Sequence, residues 1–150
     1  MSYDRVGNVQ ADQGDLAGAL KSYRDSLAIR ERLATSNPGN AGWQRDLSVS
    51  YNEVGDVLVD QGNLPEALKS FRDGLAIADR LAKADPGNAG WQRDLIVSCV
   101  KLAGIDQTGA RTFLARAQQI AKQMQQRGQL APHDLWMLDD LAKRGATEVI

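Results

Sequence analysis

The side chains able to do chemistry in this chain are few and scattered. Cys99 is the sole cysteine and His133 the sole histidine. A thiol nucleophile needs a base beside it, and zinc needs several such ligands together, so neither residue builds a site from its sequence context. Trp43, Trp91 and Trp136 invite a ligand cage, but Trp43 and Trp91 stand in identical surroundings, which points to packing. Gly39-Asn40-Ala41-Gly42 is glycine-rich like a phosphate-cradling loop. It lacks the preceding strand and the Lys-Ser/Thr ending that give such loops their mechanism. Acidic residues are spread along the chain without a pair poised for acid and base roles. The residues therefore predict no catalytic group, no metal and no cofactor.

The balance of the chain narrows the partners. Of 150 residues 43% are hydrophobic and 25% charged, the composition of a folded domain, and one domain is expected. A net charge of -1 offers no basic field for a phosphate backbone, so nucleic acid is not an expected partner. One cysteine forms no intrachain disulfide, which suits a reducing compartment. Met1-Ser2-Tyr3-Asp4-Arg5 carries no apolar leader, and no run approaches the roughly 20 apolar residues that span a bilayer. A cytoplasmic location away from membranes is the expectation.

What could position any site is set by an internal repeat. Pro38-Gly39-Asn40-Ala41-Gly42-Trp43-Gln44-Arg45-Asp46-Leu47 returns letter for letter 48 positions later, at Pro86 to Leu95. Val6-Gly7 and Val54-Gly55, Gln13-Gly14 and Gln61-Gly62, and Ala19-Leu20-Lys21-Ser22 and Ala67-Leu68-Lys69-Ser70 keep the same offset. Within a unit, Trp43, Leu47, Tyr51, Val54 and Leu58 recur every three or four residues and predict a first helix, A. Leu64, Ala67, Leu68, Phe71, Leu75, Ala78, Leu81 and Ala82 predict a second, B. Asn63 as a cap, Pro65 in the first turn and Glu66 near the positive helix end mark its start. Asp85-Pro86-Gly87-Asn88 stops it. The hairpins span 3–36, 41–84 and, degenerate, 89–127. The third has five residues fewer, placed at an A–B turn shortened around Asp106-Gln107-Thr108-Gly109. Ala110, Leu114, Ala117, Ile120 and Met124 then fall in the places of Ala67, Phe71, Gly74, Ile77 and Leu81. A short amphipathic helix over 132–143, with Trp136, Leu138 and Leu141 apolar, is expected to cap the array.

Tyr51, Val54-Gly55, Leu58, Ala67, Phe71 and Gly74 resemble the tetratricopeptide repeat pattern at the family spacing. Tyr3, Val6-Gly7, Ala19, Tyr23 and Ser26 match it in the first unit, with Gln10 departing where Leu58 stands in the second. The usual repeat is about 34 residues long. The longer period here looks similar to kinesin-light-chain-like bacterial arrays, with two extra turns on each helix. The resemblance implies an all-α, right-handed α-solenoid of antiparallel hairpins. It also implies a protein- or peptide-binding scaffold acting through the concave face of the A helices, as a fragment of a larger regulatory protein. The groove positions are Asp4, Asn8 and Asp12, then Asn52, Asp56 and Asp60, then Val100, Gly104 and Gln107, with Gln44, Arg45 and Ser48 from the extension. One branch of the family clamps a C-terminal carboxylate. Asn8 and Lys101 fit that clamp, but Asp4, Asp56 and Val97 fill its other places, so the expected ligand is neutral or carries Lys or Arg. A structural self-assembly module is the alternative. The first A helix lacks a counterpart of 38–50, leaving Tyr3, Val6 and Val9 without a neighbour, so self-association of the chain through its N-terminal end is a further expectation.

Overall fold

The computed structural model describes residues 3–130 and 139–144, without the side chains of Tyr3 and Asp4. His133, Trp136 and Leu138 lie outside the described residues. The described residues form, in order, α1 (Tyr3–Asp12), α2 (Leu16–Ser36), α3 (Ala41–Asp60), α4 (Leu64–Ala84), α5 (Ala89–Ile105) and α6 (Ala110–Gln126). Residues 139–144 are also helical, and no strand occurs among the described residues. The fold is all-α, built from helical hairpins. The chain divides into two compact units, Met1–Ile77 and Ala78–Ile150.

The helix ends show why the same punctuation recurs. Asn40 and Asn88 sit in extended conformation, and their side chains accept from the Trp43 and Trp91 backbone N–H at 3.0 and 3.1 Å. Asp15 caps α2 in the same way through the Gly18 N–H at 2.9 Å. The glycine-rich loop is thus the start of a helix whose first donors are already satisfied. At the A–B turns Gly14 and Gly62 adopt φ of 80° and 78°, the left-handed region that favours glycine. Gly62 N–H donates to the Val59 carbonyl and Asn63 N–H to that of Leu58, the pair of bonds that closes a Schellman turn, and Gly14 and Asp15 repeat it.

In the first unit α1 packs on α2 and α2 on α3. Gly55 lets α4 come close: a Cβ there would collide with the ring of Phe71, which is itself buried. Ser70 Oγ donates to the Tyr51 carbonyl at 2.6 Å, tying α4 to α3. Where Leu58 is buried, α1 carries Gln10, whose Oε1 accepts from the Ser22 hydroxyl at 2.7 Å, so the polar departure is partnered. In the second unit α5 packs on α6 around Leu95, Cys99, Leu102, Leu114 and Ala117, all buried.

Two expectations need correction. The missing residues of the third hairpin do not come out of its turn. Asp106 to Gly109 make a connection one residue longer than 61–63, whereas α5 has 17 residues against 20 in α3, and α6 has 17 against 21 in α4. Asp106 holds this turn without a left-handed glycine, accepting from the Thr108 hydroxyl at 2.8 Å and the Gly109 N–H at 3.2 Å. Trp43, which its spacing places on the apolar stripe of helix A, and its counterpart Trp91 are only half-buried, each standing in the first turn of its helix.

Candidate protein-binding surface

In the first unit the exposed side of the A helices is polar. Arg45, Val49, Asn52, Asp56 and Asp60 follow one another at three- or four-residue steps along α3 and so share a face. Arg45, Asp56 and Asp60 are exposed, and Asn52 is half-buried. On α1, Asn8 and Asp12 are exposed at the same four-residue step, and Asp4, whose side chain is outside the described residues, precedes them. Asn8 is held from behind by Tyr23, whose hydroxyl donates to its Oδ1. Asn52 turns inward: its Oδ1 is shut off from solvent without a hydrogen-bond partner and faces Gly74.

Two residues expected on this face serve elsewhere. Ser48 is buried and donates to the Gly74 carbonyl at 3.1 Å, reaching helix backbone that a side chain at 74 would have covered. Its counterpart in the next repeat is Ile96, also buried, and that apolar partner was the signal in the sequence. Gln44 reaches back to the Ala34 carbonyl at 3.2 Å, and its counterpart Gln92 does the same to Ala82 at 2.9 Å. Each glutamine satisfies a carbonyl in the last turn of the preceding B helix, where no intrahelical donor remains.

Sequence reasoning also missed Arg30, which has Ala78 as its counterpart. It donates to the Ser50 hydroxyl at 2.6 Å and the Asp46 carbonyl at 3.2 Å, and stands 3.5 Å from Glu53. It joins α2 to α3 behind the exposed face.

Lys101 belongs to the second unit. With Ile96, Val97 and Val100 it lines a groove on α5 that Asp140, Leu141 and Arg144 close on the other side. Asp140 and Arg144 pair at 2.8 Å. This stretch of A-helix surface is apolar with a charged rim, unlike that of α3. Cys99, on the same helix, is fully buried, and desolvation raises its thiol from 9.0 to about 11, against a lowering by Arg116. Its counterpart Tyr51 donates to Glu31 at 2.7 Å and is also raised, first by burial and then by that carboxylate. Neither group is poised to ionise near neutrality.

The hairpin register, the close Gly55–Phe71 approach and the copied caps meet a direct comparison: a family model for the tetratricopeptide repeat matches residues 1–34 and 47–86. The chain belongs to the tetratricopeptide repeat family. No curated protein sequence matches it. Tetratricopeptide repeats mediate protein–protein interaction and scaffolding, and no helix among the described residues is long and apolar enough to cross a membrane.

Proposed function

We propose that this tetratricopeptide repeat chain is a non-catalytic scaffold whose A-helix face receives a peptide segment that is neutral or carries Lys or Arg. The observation behind the reading is the row Asn8, Asp12, Arg45, Asp56 and Asp60, exposed on α1 and α3, of which three are carboxylates. Such a surface attracts cationic side chains and repels a C-terminal carboxylate. The polar residues beneath it are occupied: Ser48 by Gly74, Arg30 by Ser50. The face is therefore held rigid before a ligand arrives, which limits the ordering cost of binding. In this reading the chain is a module of a larger regulatory protein in the cytoplasm, and Lys101 with the α5 groove adds an apolar contact of its own.

An array of peptides differing only in charge, read by fluorescence anisotropy, tests it. Basic members should be retained, binding should weaken as salt screens the carboxylates, and Asp56→Lys with Asp60→Lys should abolish it. Acidic or carboxylate-terminated binders, or binding indifferent to the charge reversal, would overturn the assignment.

A further inference from the structure

Helix α6 departs in charge from the B helices before it. Acids and bases alternate along α2 and α4, with Asp25 and Glu31 in one and Glu66, Asp73 and Asp79 in the other, whereas α6 carries Arg111, Arg116 and Lys122 and no carboxylate. In the register that places Ala110 on Ala67, Arg116 stands where Asp73 does and Arg127 where Ala84 does. At the 48-residue offset Lys83 falls on Thr35. The joint between repeats therefore does not itself call for these cations. They gather at a cleft of about 360 Å³ between α4 and α6, floored by the buried Ala82, Leu95 and Ile120. Arg116, Gln119, Gln123 and Arg127 follow at steps of three or four residues and form one wall. Lys83 stands on the other, 3.1 Å from Asp79, and Arg116 donates to the second oxygen of the same carboxylate. Arg127 donates to the neutral Pro86 carbonyl at 3.3 Å. Asp79 is the one acid lining the cleft, so three cations meet a single negative charge. The segment that follows α6 meets its far side, where Gln118 Nε2 donates to the Leu141 carbonyl at 2.7 Å.

We propose that this cleft receives an acidic helix of a partner protein, at a site separate from the α1 and α3 face and opposite to it in charge. Arg116 and Arg127 are eleven residues apart, about three turns, so they stand one above the other about 16 Å apart. A helix laid alongside has the same pitch, and carboxylates at its positions i, i+4, i+7 and i+11 form one row that reaches both arginines. Gln119 and Gln123 donate between them, and Lys83 meets the row from the other wall. The excess of positive charge selects the sign of that row. A net charge of -1 over the chain supplies no field for a phosphate backbone, which favours a protein over nucleic acid. A disordered peptide of the same charge has first to be ordered and is held more weakly.

The probe is a fluorescein-labelled, alanine-rich helix of about 16 residues with Glu at those four positions, stapled on its opposite face because an unsupported helix of that length is marginal in water. Its anisotropy is read against the full chain. The probe should bind, and more weakly as salt rises. Lys83→Glu with Arg127→Glu, both at exposed positions, should weaken binding by about tenfold or more with an unchanged far-ultraviolet circular dichroism spectrum. The milder Arg127→Gln should weaken it severalfold. An unstapled copy with a central proline should also lose about tenfold or more. Asp56→Lys with Asp60→Lys, on the face assigned to peptide binding, should leave the affinity unchanged, which separates this proposal from that one. Absence of binding at low salt, binding indifferent to the Lys83 and Arg127 changes, equal binding of the proline copy, loss of binding in the Asp56 and Asp60 variant, or tighter binding of duplex DNA would each overturn it.

Discussion

Gly55 and Gly104 are both helical glycines, and their surroundings give substitution there opposite signs. A side chain at 55 runs into the Phe71 ring, whereas nothing lies within 4 Å of a Cβ at 104. Gly55→Leu should overpack the hairpin and destabilise by about 1–3 kcal/mol or more. Gly104→Ala should stabilise by about 0.5–1 kcal/mol, since alanine loses less conformational freedom in a helix. Urea unfolding of the two variants checks the register, and a Gly55→Leu protein as stable as the parent would contradict it. At Cys99 the protonated thiol is the buried form, with its pKa raised from 9.0 to about 11. A raised folded pKa stabilises fully below the unfolded value and is lost as pH rises through the folded one, so stability should fall between about 9 and 11. Replacing Cys99 by Ala should flatten that alkaline limb in thermal melts, leaving the part that belongs to Tyr51.

The helices were legible in the sequence from their apolar period and from stops such as Asp85-Pro86-Gly87-Asn88, where a helix cannot continue, whereas Asn40 and Asn88 as caps and the positive φ of Gly14 and Gly62 came from the structure. Depth was less legible. Periodicity assigns a residue to a face, but how far it sinks depends on the neighbour across from it. Ser48 went inward because Gly74 opposite has no side chain, and the two tryptophans, in the first turn of their helices, stayed half-buried. The exposed row on α3 was readable at Arg45, Asp56 and Asp60, while Arg30 was not, since its partners come together only when α2 and α3 pack. The glutamine links between helices carry a test at this scale. Gln92→Leu removes the donor that meets the buried Ala82 carbonyl and should destabilise by about 1–3 kcal/mol, read as a shift in the urea midpoint at constant slope. No shift would mean that water replaces the amide.

For the whole molecule, the joints between repeats matter more than the repeats. Gln44 with Ala34 and Gln92 with Ala82 are the same joint made twice, and each repeat supplies the donor to the hairpin behind it and the acceptor to the one ahead. Asn40 and Asn88 start the next helix in the same geometry, with φ and ψ of -82° and 99° at one and -81° and 100° at the other. The segment 41–88 therefore has the character of a cassette. A copy spliced in after Asn88 would find its backward glutamine facing Ala82 and would present its own duplicate of Ala82 to Gln92. The glutamine joint and the asparagine cap would carry over unchanged, whereas the Arg30 contacts would not, since Ala78 stands in its place, so lengthening the chain by a unit would keep the rule for joining repeats but not every contact.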